Sequence, residues 1–76
     1  MVIDLIMKDM ADVKRINDFA AKCDFGVYVS ANTAMVDAKS ILGLTTLVGK
    51  ENLRLVFPDH VRFDKVETAM KRAKLL

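Results

Sequence analysis

Few side chains in this sequence could do chemistry: the acids Asp9 and Asp12, the single cysteine Cys23, the serine Ser40 and the single histidine His60. A lone cysteine closes no internal disulfide and cannot build a four-ligand zinc site. Cys23 falls at helical spacing with Ile16 and Ala20, which predicts a buried, inert thiol. The methionines are scattered along the chain and read as packing, so no metal site and no cofactor is expected. Asp9 and Asp12 open a helical pattern three residues apart, the arrangement of a capping residue and its first turn. Ser40 stands in the same position before a second helical segment. A helix start would hold a phosphoryl group through free N–H groups and the positive end of the dipole, usually with a cation beside it. Two carboxylates at that end instead oppose an arriving dianion.

These residues need elements to position them. Ile3, Leu5 and Met7 alternate with Val2, Asp4 and Ile6, a period of two that predicts a half-buried strand ending at Lys8. From Asp9 the period becomes helical: Val13, Ile16, Phe19, Ala20 and Cys23 share one face, and Gly26 is the expected stop. Val27, Val29 and Ala31, then Ala34, Val36 and Ala38, predict a hairpin turning near Asn32 and Thr33. A short helix capped by Ser40 is expected to run to about Val48, followed by a turn at Gly49-Lys50-Glu51. Leu53, Leu55 and Phe57 mark a further strand closed by Pro58-Asp59, which leaves His60 in a solvated turn at the end of the sheet away from Asp9. A last helix from about Arg62 to Lys74 has Phe63, Val66, Met70 and Ala73 on one face, with its acids early and its bases late. The order βαββαβα predicts an α+β open-faced sandwich, helices on one face of a four-stranded antiparallel sheet, with a ferredoxin-like core as the alternative.

Residues 1–76 carry no linker, repeat or low-complexity stretch and read as a single domain. With 53% apolar residues the chain has material for one core, but a domain this small buries only about 60% of its unfolded surface, so an internal active site is not expected and function belongs on the outside. Twelve basic side chains against ten acidic ones, interleaved, give a charge of +2. No basic stripe with stacked aromatics is present, so no nucleic-acid partner is expected. No stretch approaches the ~20 apolar residues of a membrane span. The first residues lack the basic and apolar regions of a signal peptide, and the lone cysteine suits a reducing compartment, so a cytoplasmic location is expected.

The run Val36-Asp37-Ala38-Lys39-Ser40-Ile41-Leu42-Gly43-Leu44 resembles HPr, the small phosphocarrier family of the bacterial phosphoenolpyruvate-dependent sugar phosphotransferase system, in which a strand leads into Lys-Ser-Ile-Met-Gly or a close variant. The element order matches along nearly the whole chain, so the resemblance implies the HPr-like open-faced β-sandwich. HPr carries phosphate on a histidine in a His-Ala-Arg-Pro pattern at the start of its first helix. A gapless count back from Ser40 puts Asp9 at the histidine, Ala11 at the arginine and Asp12 at the proline. No His, Arg or Pro occurs before Lys14, so no shift of register restores the motif. The resemblance implies two further sites: Ser40 as a regulatory phosphorylation site for an HPr kinase, and a docking face that draws on Met10, Ile41, Leu42, Leu44 and Leu47; of the second-helix residues Ile41, Leu42, Leu44, Leu47 and Val48, most should complete the core and only one or two should be exposed.

The expected function is therefore that of a non-catalytic, HPr-like regulatory or interaction module and not an enzyme. Its expected partners are proteins: phosphotransferase components, an HPr kinase or a transcriptional regulator of catabolite repression. Alternatives are a phosphoryl carrier that uses Asp9 as an acyl phosphate, or a structural subunit unrelated to sugar uptake. The open sheet face should present Val2, Ile6, Tyr28, Met35 and Val56 beside Asp4, Ser30, Asp37 and Arg54, an apolar share high enough to predict a homodimer or a partner there.

Overall fold

A computed structural model of the chain describes residues 1–75. Strand β1 is Val2–Leu5, helix α1 Met10–Lys22, strands β2 and β3 Tyr28–Ala31 and Ala34–Asp37, helix α2 Ile41–Thr45, strand β4 Leu53–Val56 and helix α3 Phe63–Arg72. The four strands form one sheet in the order β1-β4-β2-β3, and all three ladders are antiparallel. The order excludes the ferredoxin-like alternative, in whose split βαβ unit β3 lies between β1 and β2; here β4 takes that place.

Register explains how the alternation in sequence becomes two faces. Ile3, Leu55, Val29 and Val36 form one row across the sheet, and Leu5, Leu53, Ala31 and Ala34 another. These rows face the helices: Val29, Leu53 and Leu55 are buried together with Val13, Ile16, Phe19 and Ala20 of α1, Leu44 of α2, and Val66 and Met70 of α3. Every helix thus spends its apolar stripe on the same side of the sheet. The outer rows are Val2, Val56, Tyr28 and Asp37, then Asp4, Arg54, Ser30 and Met35. Ile6 follows the end of β1 and is exposed.

Several boundaries differ from the sequence-based expectation. β1 ends at Leu5, although Met7 is still buried, because the Met7 carbonyl turns to accept the Gly49 N–H at 2.9 Å. Gly49 sits at φ 78°, a conformation that costs a side-chain-bearing residue. α1 stops at Lys22 rather than near Gly26: Cys23 is already extended, and its N–H and Sγ bond back to the carbonyls of Ala20 and Phe19 at 3.1 and 3.3 Å. Gly26 serves close packing instead, since a Cβ there would lie 2.9 Å from the Tyr28 ring.

α2 ends at Thr45, short of Val48. The Thr45 and Thr46 hydroxyls bond back to the carbonyls of Leu42 and Gly43 at 2.7 Å each, and the following N–H groups bond three residues back, which tightens the chain out of α-helix. In α3, Val66 and Met70 are buried and Ala73 partly so, but Phe63 is exposed. Phe57 is buried instead, and its ring meets those of Phe19 and Phe25 edge-on at 6.2 Å each.

Candidate functional site

The start of α1 is closed by its own side chains. Asp9 is extended at φ −151°, and its Oδ1 accepts the Asp12 N–H at 3.2 Å. Asp12 answers in reverse: its Oδ2 accepts the Lys8 N–H at 2.8 Å, and its other oxygen pairs with Arg15. This is a reciprocal capping arrangement built from two aspartates. The Lys8 N–H, and next the Arg15 guanidinium, hold the Asp12 carboxyl below its ordinary value. The Lys8 and Asp12 N–H groups are therefore bonded internally, and the Arg15 guanidinium is paired with Asp12. Ala11 is exposed and carries no group to replace it.

Ser40 is the N-cap of α2, exposed, with its Oγ accepting the Gly43 N–H at 3.2 Å and its carbonyl accepting the Leu44 N–H at 3.1 Å. The segment before it is braced twice by Asp37, which accepts the Lys39 N–H through its side chain at 2.9 Å and the Ser40 N–H through its carbonyl at 3.0 Å. Lys39 does not face Ser40: its ammonium donates to the Cys23 carbonyl at 3.1 Å, at the negative end of α1. Asn17 Nδ2 donates to the Ala38 carbonyl at 3.2 Å. These contacts set the beginning of α2 beside the second half of α1, while Gly49, after α2, sits at Met7, before α1. α2 therefore runs antiparallel to α1, and Ser40 does not adjoin Asp9.

Of the five apolar positions expected at the docking face, the structure divides three from two. Met10, Ile41 and Leu42 are exposed, at 45%, 41% and 78%, whereas Leu44 and Leu47 are buried at 0% and 4% and cannot touch a partner. Their spacing decides this, because positions three apart on so short a turn point the same way and α2 packs against α1 and β3. His60 lies exposed in a turn. Val56 pairs with Val2 and Leu53 with Leu5, so β4 ends at the start of β1, and His60 is at the far end of the sheet from Asp9. Burial pushes the Cys23 thiol up from its ordinary value, and its Sγ is engaged with the Phe19 carbonyl. Among the described residues, no group of His, Cys, Asp and Glu converges to hold a metal ion, and no helix is long and apolar enough to cross a membrane.

The sequence reading missed Asn17, which ties α1 to the chain before Ser40. An asparagine in mid-helix is a weak helix former, and that was its available signal.

No protein-family model matches the sequence, and no curated protein matches it. Among solved structures, the chain is similar to the crystal structure of HPr-C-His from Thermoanaerobacter tengcongensis, with a TM-score of 0.69 over 97% of this chain and 89% of that one. The fold is HPr-like. Sequence identity to that HPr-like structure is 16%, which is a likeness of architecture. What Asp9 and Ser40 do must come from their own surroundings.

Proposed function

We propose that this HPr-like chain is a non-catalytic regulatory or interaction module of a bacterial phosphotransferase network, acting in the cytoplasm by docking to proteins. The observation that carries the reading is the start of α1, where Asp9 and Asp12 cap the helix and Arg15 pairs with Asp12, in place of a nucleophilic histidine. The docking surface draws on the exposed apolar residues Ile41 and Leu42 of α2 and Met10 at the start of α1. Phosphorylation of Ser40 by an HPr kinase switches that docking, since Ser40 is exposed and directly precedes Ile41 and Leu42. A phosphate there carries about −1.5 to −2 charges into the rim of the patch.

Incubation with enzyme I and phosphoenolpyruvate, followed by intact-mass analysis at neutral pH, is expected to show no added phosphoryl group. A stoichiometric adduct on Asp9 would overturn the reading in favour of an acyl-phosphate carrier. Leu42→Glu should abolish retention of phosphotransferase proteins without unfolding the chain. Retention unaffected by Leu42→Glu and by Met10→Glu would remove the docking face, and a chain that retains no such protein would point to a structural subunit.

A further inference from the structure

Between the last turn of α1, the Cys23–Phe25 connection and α3 lies an open cleft of ≈ 670 Å³, within the ~300–1,000 Å³ typical of small-molecule sites. One wall is a fixed aromatic cluster. Phe19 and Phe25 both meet Phe57 edge-on, and the Lys65 ammonium lies 5.9 Å from the Phe25 ring centre. The opposite wall is α3, which turns the small side chains of Ala69 and Ala73 toward the space. A helix carrying leucine at those positions would fill the volume.

The rim is asymmetric in charge. Lys22, Arg62, Lys65 and Arg72 line it against only Asp24 and Asp64. Both acids are taken: Asp24 pairs with Lys65 at 3.3 Å and Asp64 with Arg62 at 3.1 Å. Lys22 and Arg72 form no ion pair among the described residues. Of the carbonyls near the two helix ends, that of Cys23 accepts from Lys39, that of Ala69 from the Ala73 N–H and that of Met70 from the Leu75 N–H. The cleft thus offers an apolar interior and two uncommitted cations, one of them a guanidinium suited to a carboxylate.

We propose that this cleft binds a small organic anion with an apolar tail, of the class of the medium-chain carboxylates, its tail between Phe25 and Ala69 and its carboxylate at the rim formed by Lys22 and Arg72. The cleft lies at the opposite end of α1 from Asp9, and the proposal does not depend on the docking function.

The test is an NMR titration of the intact chain with sodium decanoate below its micelle concentration. Saturable shifts are expected at Phe25, Ala69 and Ala73, with none at Met10 or Ile41. Decanol, which has the same tail without the charge, should bind at least about tenfold more weakly, as should decanoate to the Lys22→Gln, Arg72→Gln double variant. Inorganic phosphate should leave the alanine methyls unmoved, and Ala69→Leu should abolish the decanoate shifts by filling the space. Absence of saturable shifts at the cleft would overturn the proposal, as would equal binding of decanol or shifts spread over the open sheet face. The surface double variant keeps the test decisive should Ala69→Leu fail to fold.

Discussion

Replacing Ser40 by alanine removes one hydrogen-bond acceptor and nothing else of substance, because the side chain is exposed and its Oγ is engaged only with the Gly43 N–H at 3.2 Å. Loss of such a cap costs ~1 kcal/mol. For a chain of 76 residues the entropy of unfolding is about 160 cal/mol/K, so that cost lowers Tm by about 6 °C. Aspartate caps as well as serine does. In Ser40→Asp the carboxylate should keep the Gly43 bond, gain nothing from Lys39, which is committed to the Cys23 carbonyl, and lose a few tenths of a kcal/mol to the nearby Asp37. Its Tm should therefore stay within about 2 °C of the parent. Thermal unfolding of the three proteins side by side, monitored by circular dichroism, reads the difference directly. Equal losses for alanine and aspartate, or no loss for alanine, would refute the capping role. They would also remove the basis for treating Ser40→Asp as a folded mimic of the phosphorylated state in binding assays.

Leu44→Ala should cost about 2–5 kcal/mol of unfolding free energy, while Leu42→Ala, two residues away on the exposed side, should stay within about 0.5 kcal/mol; urea denaturation distinguishes them. Gly49→Ala should destabilise by ~1 kcal/mol through backbone strain at φ 78° alone, since no atom would touch the new Cβ, and Gly49→Asn should cost less in the same urea assay. The lowered folded-state value of the Asp12 carboxyl means that its contribution is complete above the ordinary value of 3.8 and is lost as pH falls below it through the folded value. Asp12→Asn should therefore flatten the acid limb of a stability–pH profile measured by urea midpoints, and an unchanged limb would contradict the capping arrangement at Lys8 and Arg15.

Patterns that repeat within a few residues were legible in the sequence. Alternation located all four strands, and Asp9 and Ser40 were readable as caps because a cap is a local exchange between a side chain and an N–H three residues on. The burial of Cys23 followed from its place on the α1 stripe. The inward turn of Leu44 and Leu47, set against the outward turn of Leu42, was not legible, because a helix of one turn has no period to read and α1 and β3 choose its buried side. Phe63 also misled: it extends the apolar spacing of α3, but it stands at the first position of that helix and is exposed. The cleft was invisible in principle, since Asp24 and Lys65, which brace it, are 41 residues apart.

β4 is late in the chain and central in the sheet. Two of the three ladders are its own, one to β1 and one to β2, so until residue 56 has been made β1 has no partner and only the β2–β3 hairpin can pair. A ribosome therefore releases most of this protein before its sheet can exist, with Val2–Leu5 waiting as an unpaired apolar segment. Closing a ladder between residues 2 and 56 is a long-range search, which places the chain among the slower-folding small domains. It also means that the inner faces of α1 and α2 reach their shelter only when the last strand slides between the first two.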